Sequence, residues 1–167
     1  MPTKKGAGGR QQNYDSHGRY VKSVYPQNTL SKKEKSRRKR ERQIETFCLI
    51  ADKKNDPLVK LLIIELEKAI PYSIQFVNGN KFDFVHNKIR EFDIITRKVV
   101  IEVKSGSARR NLTQFKEQKD YADSKNKKYV VFAPNIGNGT KKEYNKNGIE
   151  IKTSIKELVS FVREYEK

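Results

Sequence analysis

The sequence predicts an α/β fold in which helices flank a small mixed central sheet. Three observations lead there. Helix starts are marked at Ser31/Glu34, Asp56-Pro57 and Ser154/Glu157. Apolar and polar residues alternate between 91 and 104. A short, wholly apolar run spans Tyr129–Phe132. Capping boxes and period-2 alternation are the local signatures of helix N-termini and of half-buried strands, and their interleaving is the pattern of a sheet covered by helices.

Residues 1–30 are rich in Gly, Gln, Asn, Ser and Lys without an apolar period, and are expected to form a disordered basic arm. Ser31 with Glu34 opens a helix expected over 31–55. Lys32 to Arg42 is almost continuously basic, whereas Ile44, Phe47, Cys48 and Ala51 form an apolar stripe that should dock on the domain, 56–167. Asp56-Pro57 combines an N-cap with Pro at the first helical position; that helix should carry Leu58, Leu61, Leu62, Leu66 and Ala69 inward and stop before Pro71. Ile74–Val77 is expected as a strand, Asn78-Gly79 as a hairpin turn and Lys81–Val85 as its return strand. Strands at 90–96 and 98–104 should follow, then a helix at 111–123, the Tyr129–Phe132 strand, a Gly137-Asn138-Gly139 loop and a short strand at Ile149–Ile151. The last element is an amphipathic helix after the Ser154/Glu157 box, with Ile155, Leu158, Val159, Val162 and Tyr165 on its apolar face.

The chain has 167 residues, enough for one domain and a tail. It carries 37 Lys+Arg against 20 Asp+Glu, a formal net charge of +17. Residues 1–43 hold 13 basic and three acidic residues (net +10), leaving 24 and 17 for the rest (net +7). Such an excess suits a polyanion, because each phosphate contact releases counterions. Cys48 is the only cysteine, so neither an internal disulfide nor a multi-cysteine zinc site can form, and a reducing, cytoplasmic place of action is expected. No signal peptide is visible, and no apolar run, Leu61 to Ile64 among them, approaches the ~20 residues of a membrane span.

The chemistry concentrates in two adjacent strands. Alternation puts Phe92 and Ile94 on one face and Glu91 and Asp93 on the other; in the next strand Val99, Ile101 and Val103 oppose Glu102 and Lys104. With Arg97-Lys98 as the turn, Asp93 lies across from Glu102, and Glu91 across from Lys104. Two facing carboxylates repel by roughly 0.2–1 kcal/mol, and a divalent cation reverses that sign; Mg²⁺ (or Mn²⁺) takes a few carboxylates plus water and phosphate oxygens. A lysine beside them suits stabilisation of developing charge at a phosphate. Glu65 falls between Leu61 and Ala69 inside the helix's apolar arc, where a carboxylate requires a partner. Gln114, Gln118 and Tyr121 form a polar stripe on the following helix.

These residues resemble the PD-(D/E)xK nuclease superfamily: Glu91-Phe92-Asp93, an eight-residue gap, then Glu102-Val103-Lys104-Ser105-Gly106, within a helix-β-β-β-helix-β order covering roughly 56–133. The resemblance implies a restriction-endonuclease-like core and a metal-dependent endonuclease acting on DNA (placed ahead of RNA). It implies metal ligation by Asp93, Glu102 and the Val103 carbonyl, water activation by Lys104, a helix glutamate at Glu65 (with Glu67 and Glu45 as alternatives) and a site glutamine at Gln114 or Gln118. Phe92 stands where many members carry Pro. The arm, Gly8 to Asp15 and Gly18-Arg19-Tyr20, resembles segments ahead of nuclease domains in bacterial polymorphic toxins. That likeness implies a secreted toxin neutralised by a small acidic immunity protein.

Two alternatives stand beside the nuclease. One is a non-catalytic basic nucleic-acid-binding protein working through Lys32 to Arg42; the other is an interaction domain for an acidic protein. His17 and His86 are read as solvent histidines, since neither has a partner at metal-ligand spacing.

Overall fold

The computed structural model describes residues 13–14, 17–18, 20–21, 30–106 and 112–167. The chain divides into two units, 1–37 and 38–167. In the first, β1 (Asn13–Tyr14) and β2 (Tyr20–Val21) pair antiparallel, with Gly18 at φ +74° in the connection. The rest of the 1–30 arm, apart from residues 17–18 and 30, lies outside the described residues. The Gly8–Gln12 part of the arm resemblance lies outside the described residues.

The 22-residue helix α1 (Lys32–Lys53) starts at the expected box: the Ser31 hydroxyl accepts from the Glu34 amide, and the Glu34 carboxylate accepts from the Ser31 amide at 2.9 Å. Asp56 caps α2 (Pro57–Ala69) by accepting from Val59 N at 3.0 Å. Then follow β3 (Ile74–Asp83), β4 (Lys88–Thr96), β5 (Val99–Val103), α3 (Leu112–Ser124), β6 (Lys128–Phe132), α4 (Asn138–Lys146), β7 (Ile151–Lys152) and α5 (Ile155–Tyr165). The sheet is mixed, in sequential order β3-β4-β5-β6-β7, with β3–β5 antiparallel and β5–β7 parallel. Among the described residues the fold is therefore α/β, with five helices around a five-stranded sheet. No described helix is long and apolar enough to cross a membrane.

Two cores sandwich the sheet. Phe47, Ala51, Val59, Leu62, Ile63, Leu66, Leu158 and Val162 pack with Ile94, Ile101 and Val103 on one face. Phe115, Tyr121, Ala122 and Tyr144 pack with Phe92, Ile95, Val100 and Val131 on the other. The α5 box forms as expected, with Ser154 and Glu157 bonding reciprocally. The buried arc of α2 is Val59, Leu62, Ile63 and Leu66, so Leu61 and Ile64 stay exposed, a rotation of the helix from the expected face.

Several expectations need correcting. Asn78-Gly79 does not turn the chain; β3 runs through it, and the reversal comes at 84–87. Asp83 organises that turn: its Oδ1 accepts from Val85 N and His86 N at 3.0 and 3.3 Å, and Asn87 supplies a positive φ of 48°. Gly79 is needed for another reason. The Phe76 ring lies over it, and a Cβ there would meet Phe76 Cζ at 2.5 Å. Lys81–Val85 is therefore not a separate return strand, and three strands stand where four were expected. Phe92 and Ile94 do not share a face: they lie in opposite cores. Partners run Val77↔Ile94 and then Gly79↔Phe92, and Asn78 between them has φ +41°, a left-handed residue that breaks the alternation. Gly137-Asn138-Gly139 opens α4 rather than a loop, because burial of Tyr144 against Phe115, centroids 5.3 Å apart, outweighs weak helix propensity. Arg40, counted in the basic run, is buried, donating to Glu67 Oε1 at 2.9 Å and to Ile74 O at 3.1 Å.

His86 is likewise not a solvent histidine. Its Nδ1 lies 2.9 Å from Asp83 Oδ2 and its Nε2 3.4 Å from Asp120 Oδ2. Burial alone would raise the Asp83 carboxyl, but Arg90, His86 and the two turn amides bring it down to about 2. Its stabilising contribution is thus complete above the ordinary carboxylate value and is lost as pH falls toward about 2. Asp83→Asn is expected to lower the urea midpoint at neutral pH, with the gap to the wild type closing between pH 4 and pH 2. An unchanged midpoint at neutral pH would show that the Asp83–Arg90 pair holds nothing in place.

Candidate active site

The register of β4 and β5 builds the site. Ile94 pairs with Ile101 and Ile95 with Val100. Continuing by one step sets Asp93 across from Glu102. The tight connection is closed by Thr96, whose Oγ1 accepts from Val99 N at 2.8 Å and donates to Val99 O. A short turn and two apolar ladders thus fix which acids meet, because a one-residue slip would turn Ile94 and Ile101 out of the core.

The two carboxylates have unlike surroundings. Glu102 is 3% exposed and ringed by donors. Lys104 Nζ lies 2.6 Å from its Oε1; Gln114 Nε2 donates to Oε1 at 3.1 Å and Gln118 Nε2 to Oε2 at 2.7 Å. Gln118 is itself held: the buried Tyr129 hydroxyl donates to its Oε1 at 2.7 Å, which turns the amide nitrogen toward Glu102. Burial, then Glu102 and Asp93, push the Tyr129 phenol well above its usual value, so it remains a donor. In the sequence Tyr129 is simply a strand residue, and no spacing there links it to Glu102.

Asp93 is half-buried and accepts from Val103 N at 2.6 Å. Burial and the Glu102 charge raise its carboxyl to about 7, against the opposing pull of that amide and Lys104; Asp56 adds further repulsion. Asp56, whose side chain caps α2, is thus near enough for its charge to be felt at Asp93. Glu65 is half-buried on the same helix, two and a half turns or about 13 Å of axial rise from Asp56. The contacts join Asp93 to Val103 and Glu102 to Lys104, Gln114 and Gln118. Of the other helix acids, Glu67 is bound to Arg40. Glu91 does not face Lys104 but meets Lys54 at 2.6 Å. Tyr121 departs from the glutamine stripe and stacks on Phe92, centroids 4.5 Å apart.

Among the described residues no three His, Cys, Asp or Glu side chains gather as a metal cluster. The oxygens available at Asp93 and Glu102, with the Val103 carbonyl next to them in the chain, are hard donors of the kind Mg²⁺ prefers. A half-buried carboxylate with a raised pKa facing another carboxylate is a place short of positive charge. The donor set therefore fits a divalent cation in chemistry, with water or phosphate oxygens needed to complete its shell.

Comparison of the chain with known protein families, with curated proteins and with solved structures finds no match.

Proposed function

We propose that this protein is a divalent-metal-dependent nuclease of the PD-(D/E)xK kind, acting on phosphodiester bonds of DNA ahead of RNA. The observation that carries the reading is the pairing of Asp93, raised to about 7 by burial and by Glu102, with a Lys104 ammonium 2.6 Å from that same Glu102. A perturbed acid beside a positioned lysine on rigid strands is a combination that catalysis uses. The net charge of +17 supports a polyanionic substrate.

Asp93, Glu102 and the Val103 carbonyl would hold the cation, which when bound supplies Lewis-acid polarisation of a phosphate oxygen. The chain's own groups do the rest. Gln114 and Gln118 fix the Glu102 carboxylate, Tyr129 fixes Gln118, and Lys104 holds a positive charge where negative charge develops on phosphate. Glu65 has no part in this reading.

The test is incubation of the full chain with plasmid DNA and with total RNA, in Mg²⁺ and in EDTA, beside Lys104→Ala. Degradation that needs metal and falls by about 10²-fold or more in Lys104→Ala is the expected result, and the polymer degraded identifies the substrate. The donor-saturated state of Glu102 favours one second reading, a non-catalytic nucleic-acid-binding protein. Binding without cleavage of either polymer would establish it.

A further inference from the structure

The turn end of the β3–β4 hairpin is apolar and uncovered. Phe84 is 77% exposed and Ile89 69%, and Phe82 and Val85 are also exposed. Phe82 pairs with Ile89 across the strands, so the two share a face, and the Phe84 ring stands edge-on to Phe82 at 4.8 Å. Burial does not account for this cluster, since on a hairpin that serves only as structure these positions are normally polar. Exposed apolar groups so grouped mark a binding surface.

The charges around the cluster indicate the partner. Lys125 Nζ lies 5.6 Å from the Phe84 centroid, and Lys81 Nζ 4.2 Å from that of Phe76. The carboxylates nearby are already engaged: Asp83 by Arg90, Glu117 by Lys88 and Arg90, Asp120 by His86, Glu91 by Lys54. What faces outward is aromatic surface fringed by ammonium groups, the combination that holds unpaired bases by stacking and their backbone by charge. A second copy would bring like charge against like on a chain of net +17.

We infer that the β3–β4 hairpin tip is a stacking platform for unpaired nucleobases, with Phe84 and Phe82 as its rings and Lys125 as its phosphate-side contact. From Ile89 to Asp93 is four residues of β4, about 13 Å. The inference deepens the proposed function by naming single-stranded or locally unpaired nucleic acid as the polymer engaged; it rests on that reading only in taking nucleic acid as the partner.

The experiment measures binding by the full chain in EDTA, so that cleavage does not interfere, to a labelled single-stranded oligonucleotide and to the same oligonucleotide as a duplex. Phe84→Ala is expected to weaken single-strand binding about tenfold and to leave duplex binding nearly unchanged; Phe84→Trp should keep the affinity and Phe84→Leu should lose it. Circular dichroism spectra matching the wild type would show that the fold is retained. Undiminished affinity in Phe84→Ala, full affinity in Phe84→Leu, equal loss on both forms or no single-strand binding by the wild type would each overturn the proposal. So would light scattering showing a dimer that Phe84→Ala dissolves. Cleavage in Mg²⁺ is scored separately: absent cleavage with the stacking pattern intact removes the nuclease and keeps the platform, whereas cleavage unaffected by Phe84→Ala, with no loss in binding, does the reverse.

Discussion

Asp93→Asn is expected to stabilise the protein at pH 8 while abolishing cleavage. The raised carboxyl, about 7 against an ordinary 3.8, means that the folded chain keeps a proton which the unfolded chain releases. Stability therefore falls as pH rises between those two values. The full shift corresponds to ~4 kcal/mol as a ceiling, and solvent reaching the half-buried group reduces it to about 2 kcal/mol. Asparagine does not titrate, and its oxygen can still accept from Val103 N. Its melting temperature should exceed the wild type's by roughly 4–8 °C at pH 8, and the difference should vanish below about pH 3, where Asp93 is protonated in both states. Thermal denaturation at the two pH values checks this. A variant less stable than wild type at pH 8, or one with the same advantage at both, would mean that the Asp93 charge is not held against its own solvation. Loss of cleavage together with a gain in stability is the signature of an acid kept ionised for function at the expense of the fold.

Glu102→Gln should have the opposite effect on stability. Its carboxylate accepts from Lys104, Gln114 and Gln118 at once. A glutamine there presents an NH₂ group to one of those donors, in a buried place where Gln118 cannot turn without depriving the Tyr129 hydroxyl of its partner. One unsatisfied buried donor costs about 1–3 kcal/mol, and the urea midpoint should fall accordingly. Cleavage should drop by about 10³-fold, with nucleic-acid binding in EDTA little changed, since the acid makes no contribution to phosphate attraction. Unaltered cleavage in Glu102→Gln would remove the pair from the chemistry. Equal and opposite stability changes in the two variants, from acids one strand apart, would show directly that surroundings rather than residue type assign their roles.

The central pair was legible because what places it is local. A two-residue turn after Thr96 and the apolar ladders Ile94/Ile101 and Ile95/Val100 leave one register for two short strands, and that register opposes Asp93 to Glu102. The helix starts at Ser31, Asp56 and Ser154 were legible on the same ground, since a cap bonds within three residues of itself. The hairpin was misread for the converse reason. Asn78-Gly79 has turn chemistry, but Phe76 lies over the glycine, and the turn falls where Asp83 can bind two amides and pair with Arg90.

The sequence by itself determined the net charge of +17, the α/β order of elements and the strand register that opposes the two acids. The tertiary structure alone decided how each helix is rotated about its axis against the sheet. That rotation brings Gln118 against Glu102 and buries Arg40 against Glu67. Strand alternation has a period of two and fixes a face from neighbouring residues, whereas a helix surface is continuous, and which part of it is buried depends on the summed packing of residues far apart in the chain.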